Sequence, residues 1–292
     1  MLAKVPAWNG VSTHPLVNMR VHMLRNTEDL EKFELGAKDG VIGKISDFYF
    51  DDGEWVIRYL IVDTGNWLSS RKVLISPMAV GKPEWWGERT LPVDLTRAQV
   101  EASPDTDTEQ PVSRQQERAV LSHYGYPYYW GGTGLWGGGL YPYTLVPGLV
   151  GFGTTPSPLG QPDGVDRQPE ANSHHDDPHL RSCHEVIGYH IHASDGEVGQ
   201  VRGFLVDENT WAVRYMIVDT GSWWRGHEVL IAPGWIKAVE WSDNTVAVDM
   251  TRQALMDAPV YDSNVPFGRT DEASVHQHHG RTGYWSAESS LR

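Results

Sequence analysis

Residues 39–77 read DGVIGKISDFYFDDGEWVIRYLIVDTGNWLSSRKVLISP, and residues 195–233 read DGEVGQVRGFLVDENTWAVRYMIVDTGSWWRGHEVLIAP. The two stretches align without a gap at a shift of 156 residues, with roughly half of the positions identical, so the chain is read first as a repeat. The match runs outward in both directions. Leu24-Arg25 recurs as Leu180-Arg181 and Ala37 as Ala193, while Asp29 stands opposite Glu185. Downstream the shift falls by one residue, so one loop differs in length. Val93-Asp94, Thr96-Arg97 and Pro104 then recur as Val248-Asp249, Thr251-Arg252 and Pro259. His123, Gly125 and Tyr129-Trp130 recur as His278, Gly280 and Tyr284-Trp285. Each unit is therefore about a hundred residues long, the size of one independently folding domain.

This places an irregular arm at residues 1–23, a first unit at 24–130, a linker at 131–179, a second unit at 180–285 and a tail at 286–292. The signals inside each unit are β. Asp39-Gly40 and Asp195-Gly196 are turn dipeptides, and Val41 to Phe50 follows as a strand in which Gly43, like Gly199, marks a bend or a close backbone approach. Asp51-Asp52-Gly53 reads as a hairpin turn. Trp55 to Asp63 and Trp211 to Asp219 are rich in β-branched and aromatic residues and read as central strands. Val73 to Ser76 is a short strand stopped by Pro77, and Val80 to Trp86 with Thr90 to Asp94 reads as a hairpin. Thr96 and Thr251 are N-cap residues for a short helix in each unit. Closely spaced short strands joined by turns predict a small antiparallel barrel. The fold class is all-β with short helices, two small antiparallel barrels in tandem, packed as a pseudo-two-fold pair or as part of a homo-oligomer.

The unit resembles the PRC-barrel family. The residues that carry the resemblance are the opening Asp-Gly-x-x-Gly (Asp39, Gly40, Gly43; Asp195, Gly196, Gly199), the strand Arg-Tyr-x-Ile-Val-Asp-Thr-Gly (Arg58 to Gly65; Arg214 to Gly221) and the later Val-Leu-Ile-x-Pro (Val73 to Pro77; Val229 to Pro233). That family includes the cytoplasmic barrel of the photosynthetic reaction-centre H subunit and the C-terminal domain of the ribosome-maturation factor RimM. The resemblance covers a little over half of the chain. It implies a protein-binding scaffold or assembly module rather than a catalyst, docked from the cytoplasmic side on a membrane complex as the H-subunit barrel is. The chain lacks both the H subunit's membrane helix and the separate N-terminal domain of RimM.

Charge narrows the partners. The net charge of −14, with no cluster of Lys and Arg, argues against nucleic acid and anionic lipid. No apolar run approaches the ~20 residues that span a bilayer, and the first residues lack a signal peptide's apolar core. A single cysteine, Cys183, excludes an intrachain disulfide. The expectation is a cytoplasmic protein, peripheral to a membrane through a protein partner, with no cofactor.

Thirteen Trp and twelve Tyr make aromatics the leading binding candidates: Trp67, Trp223 and Trp224 after the Thr-Gly turns, Tyr128 and Trp130 at the end of the first unit, and Trp285 at the end of the second. Asp63-Thr64-Gly65 and Asp219-Thr220-Gly221 repeat the Asp-Thr-Gly of aspartic proteases. A strand-to-turn junction is the simpler reading, because Asp there bonds nearby backbone N–H groups. Arg58 and Arg214 are expected to pair with a carboxylate at the barrel rim. His190 and His192 alternate along a strand and so share a face, which makes them candidate metal ligands. A small-molecule, metal or proton-handling module using His and carboxylates is the alternative to the adaptor. The segment from Gly131 to Pro178 reads as a linker, although Trp136, Tyr141 and Tyr143 make its first part too apolar for a purely solvated spacer.

Overall fold

The computed structural model describes residues 24–83, 87, 89–105, 112–130, 132–145, 179–221 and 227–288. The first half opens with strand β1 (Leu24–Asn26) and the one-turn helix α1 (Thr27–Leu30), followed by β2 (Glu34–Ala37), β3 (Gly40–Asp51), β4 (Val56–Asp63), β5 (Lys72–Ile75) and β6 (Thr90–Pro92). Helices α2 (Arg97–Glu101) and α3 (Arg114–Tyr124) close it. The second half repeats the order: β7 (Leu180–Ser182), α4 (Cys183–Val186), β8 (His190–Ala193), β9 (Gly196–Asp207), β10 (Val213–Asp219), β11 (Glu228–Ile231), β12 (Ile236–Glu240), β13 (Thr245–Val248), α5 (Arg252–Met256), α6 (Arg269–His278) and α7 (Trp285–Glu288).

The chain is mostly β with short helices, in two separate mixed sheets. One runs β5-β4-β3-β2-β6 and the other β11-β10-β9-β8-β13-β12. The pairing is antiparallel except at one place in each sheet, where β2 runs parallel to β6 and β8 to β13. The expected purely antiparallel barrel is corrected there. Strand periodicity reports which face is buried, not the direction in which a neighbour runs. The run Val56 to Val62 is buried at every position, Arg58 included, as a strand covered on both faces should be.

The two halves complete each other's sheets. β1 of the first half pairs with β9 (Leu24 with Asp207, Asn26 with Leu205), and β7 of the second pairs with β3 (Leu180 with Asp51, Ser182 with Tyr49). The exchange is locked by matching ion pairs, Arg25 to Glu208 at 3.0 Å and Arg181 to Asp52 at 3.1 Å. At the seam Val56 bridges Ala212. Ile57 N–H donates to the Trp211 carbonyl at 2.9 Å, and Val213 N–H to the Trp55 carbonyl at 2.8 Å. Each of these contacts has its counterpart 156 residues along. A single apolar cluster runs through both halves, with Phe50 5.7 Å from Phe204 across the seam.

Two features depart from the sequence reading. Helices α3 and α6 were not expected, because their buried faces carry Glu117, Glu272 and His276 instead of a plain apolar stripe. Residues 132–145, read as the start of a linker, pack on the body of the protein: Trp136 is buried and its indole N–H donates to the Thr210 carbonyl at 2.8 Å.

Candidate functional site

The repeated Asp-Gly pairs tie each sheet to its helix. Asp39 accepts from the Arg97 backbone N–H at 2.8 Å and Asp195 from that of Arg252 at 2.7 Å, a carboxylate at a helix N-terminus. Gly40 and Gly196 stand there at φ values of 142° and 136°. Gly43 and Gly199 mark the closest approach of neighbouring strands: a Cβ on either would lie 2.0 Å from the carbonyl oxygen of Asp63 or Asp219. Asp63 and Asp219 each accept from the N–H two residues on, at Gly65 and Gly221, both at 2.8 Å. Thr64 and Thr220 hydroxyls donate to the carbonyls of Arg71 and His227. The Asp-Thr-Gly geometry is that of a turn. The two carboxylates sit on different sheets, on β4 and β10.

The strands that carry Arg58 and Arg214 build a second repeated structure. Glu117 of α3 and Glu272 of α6 are wholly buried. Tyr59 donates to Glu117 at 3.3 Å, and Tyr129 donates to the same oxygen. Tyr215 and Tyr284 donate to Glu272 at 3.2 and 2.7 Å. Arg114 and Arg269, each one turn before the glutamate, stand 3.2 and 3.1 Å from it. Burial, and after it the carboxylate's charge, pushes all four tyrosine hydroxyls far above the usual phenol range, so they are donors at any working pH. Beside them Arg58 lies over the Tyr129 ring at 4.0 Å with Asp51 at 3.6 Å, and Arg214 lies over Tyr284 at 3.9 Å with Asp207 at 3.0 Å. Arg58 is buried at 3% exposure rather than standing at a rim, and burial lowers its pKa. The clue to this cluster in the sequence is Arg-x-x-Glu recurring at Arg114 and Arg269, a signal the β-centred reading passes over.

On the first side Arg58 donates to the Leu135 carbonyl and its face meets Trp136 at 5.0 Å. On the second side Arg214 lines an open cleft of about 630 Å³ at the seam, together with Glu54, Trp55, Gly234, His276 and Tyr284. That volume lies within the range that holds a small ligand, about 300–1,000 Å³.

The remaining candidates are dispersed. Trp67 is half-buried; its indole N–H donates to the Ile42 carbonyl and Arg97 covers its face at 4.2 Å. Tyr128 stacks on Trp130 at 4.7 Å, with Arg114 over Trp130 at 4.2 Å. Trp285 has Arg269 over it at 4.5 Å and His276 at 5.0 Å. Trp223 and Trp224 lie outside the described residues. His190 lies 2.8 Å from Glu197 and His192 is exposed beside it on β8. Among the described residues no three His, Cys, Asp or Glu side chains are grouped to hold a metal. Cys183 is fully buried, which pushes its thiol pKa up. No helix among them is long and apolar enough to cross a membrane.

Residues 35–85 match the family model of the PRC-barrel domain. The first sheet thus contains a PRC-barrel domain, and this is a PRC-barrel domain protein. No curated protein matches the chain.

Proposed function

We propose that this chain is a non-enzymatic adaptor made of two PRC-barrel domains, the second being the repeat at residues 180–285, and that it binds a protein partner in a membrane complex from the cytoplasmic side. The observation that carries the reading is the contrast between sealed chemistry and an open seam. The repeated glutamates, with Tyr59, Tyr129 and Tyr215, are buried and bonded within their clusters, which is what a structural clamp requires. The open, partly aromatic surface lies instead where the two halves meet, and clefts of that kind at domain junctions are common binding sites. The resemblance to the H-subunit barrel supports the choice of a membrane complex.

The test is affinity capture from gently lysed native cells, run separately on soluble and membrane fractions, with mass spectrometry of what is retained. One stoichiometric membrane complex is the expected result. Retention of ribosomal proteins, or of nothing specific from either fraction, would overturn the membrane assignment.

A further inference from the structure

We propose that the solvent face of β8 binds a late first-row divalent metal ion such as Zn²⁺, chelated by His190 and His192, with Glu197 positioning His190; this stands apart from the adaptor reading, which needs no metal.

β8 alternates between core and solvent. Ile191 and Ala193 are buried, while His190 is half-buried and His192 exposed. Two residues apart on a strand, the histidines share one face with Cα atoms roughly 6.6 Å apart. Both rings can then reach one ion at the ~2.0–2.1 Å of a zinc–imidazole bond. Simple alternation along β9 would put Glu197 and Gln200 on opposite faces. The irregularity in pairing between Ile191 and His192 brings both to the solvent side, Gln200 opposite His190 and Glu197 opposite His192. From there Glu197 reaches His190, whose Nδ1 stands 2.8 Å from its carboxylate. An ionised carboxylate only accepts, so Nδ1 carries the proton and Nε2 keeps the lone pair. A carboxylate in this place fixes the tautomer and ring orientation of a metal-ligating histidine. On the other flank β13 sets Thr245 beside His190 and Ala247 beside His192, short side chains that leave an ion room. No set of three His, Cys, Asp or Glu among the described residues could hold a metal, so the two imidazoles are the protein's ligands and water completes the shell. Imidazole favours zinc, nickel and copper over magnesium and calcium, which take oxygen.

The repeat argues that these residues are not there for the fold. Their counterparts in the first half are Glu34, Gly36 and Val41. There β2 and β3 pair in the same register with the same irregularity, Glu34 opposite Lys44 and Gly36 opposite Val41. The strand pairing therefore forms without the histidines or the glutamate, and the second half alone carries the chelating set.

The test titrates zinc chloride into the full chain by calorimetry, the protein carrying no histidine tag and stripped of metal beforehand. Thirteen histidines are present, so the reading is the difference between variants. His192→Gln alters an exposed position; it should melt with the metal-free wild type and bind one equivalent of zinc fewer. Glu197→Gln keeps both ligands and should weaken that same equivalent about tenfold or more, the usual cost of losing the carboxylate behind a ligating histidine. Gln200→Ala, exposed on the same face, should bind zinc as the wild type does. Equal zinc uptake by His192→Gln and the wild type, or full affinity in Glu197→Gln, would overturn the proposal.

Discussion

Val56 forms an antiparallel bridge with Ala212, the residue 156 positions further on and its own counterpart in the repeat. A residue that pairs with its counterpart marks a local two-fold relation, as in an isologous dimer interface. The exchange of β1 and β7 obeys the same relation, since Leu24-Arg25 and Leu180-Arg181 are counterparts. A fragment of residues 24–145 should therefore form a homodimer. The β1 of each copy would occupy the place of β7 on the other copy's β3, and the 53–55 turn would replace the 209–211 turn over Trp136. Light scattering after size-exclusion chromatography measures this directly. A folded monomer would show that the exchanged strand is dispensable.

The close approach at Gly43 and Gly199 leaves no room for a side chain. A methyl at either position would overlap a backbone carbonyl oxygen, and that oxygen belongs to a strand that cannot step aside without breaking its ladder. Gly43→Ala or Gly199→Ala should each cost about 3 kcal/mol or more, in the range of forced overpacking with backbone movement. Gly234→Ala, with open space at its Cβ position, should stay within about 0.5 kcal/mol of wild type. Chemical denaturation of the three variants checks the contrast, and a mild Gly199→Ala would mean that the strands separate easily.

Glu272 is wholly buried, accepts from Tyr215 and Tyr284 and faces Arg269. Glu272→Ala removes the acceptor and leaves donors buried without it, a loss of about 3–5 kcal/mol. Tyr284→Phe deletes one hydroxyl while keeping the ring under Arg214, and should cost about 1–2 kcal/mol. The same pair of substitutions at Glu117 and Tyr129 should behave alike if the two clusters serve one purpose. Urea midpoints read all four variants. A neutral Glu272→Ala would show that the carboxylate contributes nothing net.

How much of this is legible in the sequence depends on what a residue pattern can encode. The long strands are legible because Val41 to Phe50 and Trp55 to Asp63 are long enough to show composition and turn punctuation, and they match β3 and β4 closely. The helix caps at Thr96 and Thr251 are legible because a hydroxyl before a helix has a local purpose. The exchange is not legible. Three residues carry no period, and a repeat states that two halves are alike without saying which strand completes which sheet. The glutamate clamp is hidden for another reason: a buried face made of Glu, His and Val reads as polar, and its partners come from strands some 60 residues away. Trp136 is hidden by its glycine-rich surroundings, which look like a spacer until Arg58 and Thr210 are seen to hold them.

Two histidines at the C-terminal end of α6, His276 within it and His279 at its cap, give the chain a pH dependence of known sign. His279 has its pKa pushed down to about 4, first by burial and then by the neighbouring charges of His278, Arg281 and His276. His276, against Trp235 and Trp285, is lowered by burial too. In the unfolded chain an imidazole takes up its proton near 6.5. Above that pH neither state binds it, and the neutral rings add no penalty. As the pH falls through 6.5 the unfolded state gains protons that the folded state refuses, so stability declines, and the share due to His279 is complete by about pH 4. The ring of His279 is only partly covered, so the loss should be about 1–2 kcal/mol rather than the full value of the shift. Carboxylates also titrate in the lower part of this window, so the measurement is a comparison: urea denaturation at pH 7 and at pH 5 for the wild type and His279→Gln. The variant should lose less stability between the two pH values, and an identical loss would assign the acid sensitivity to other groups.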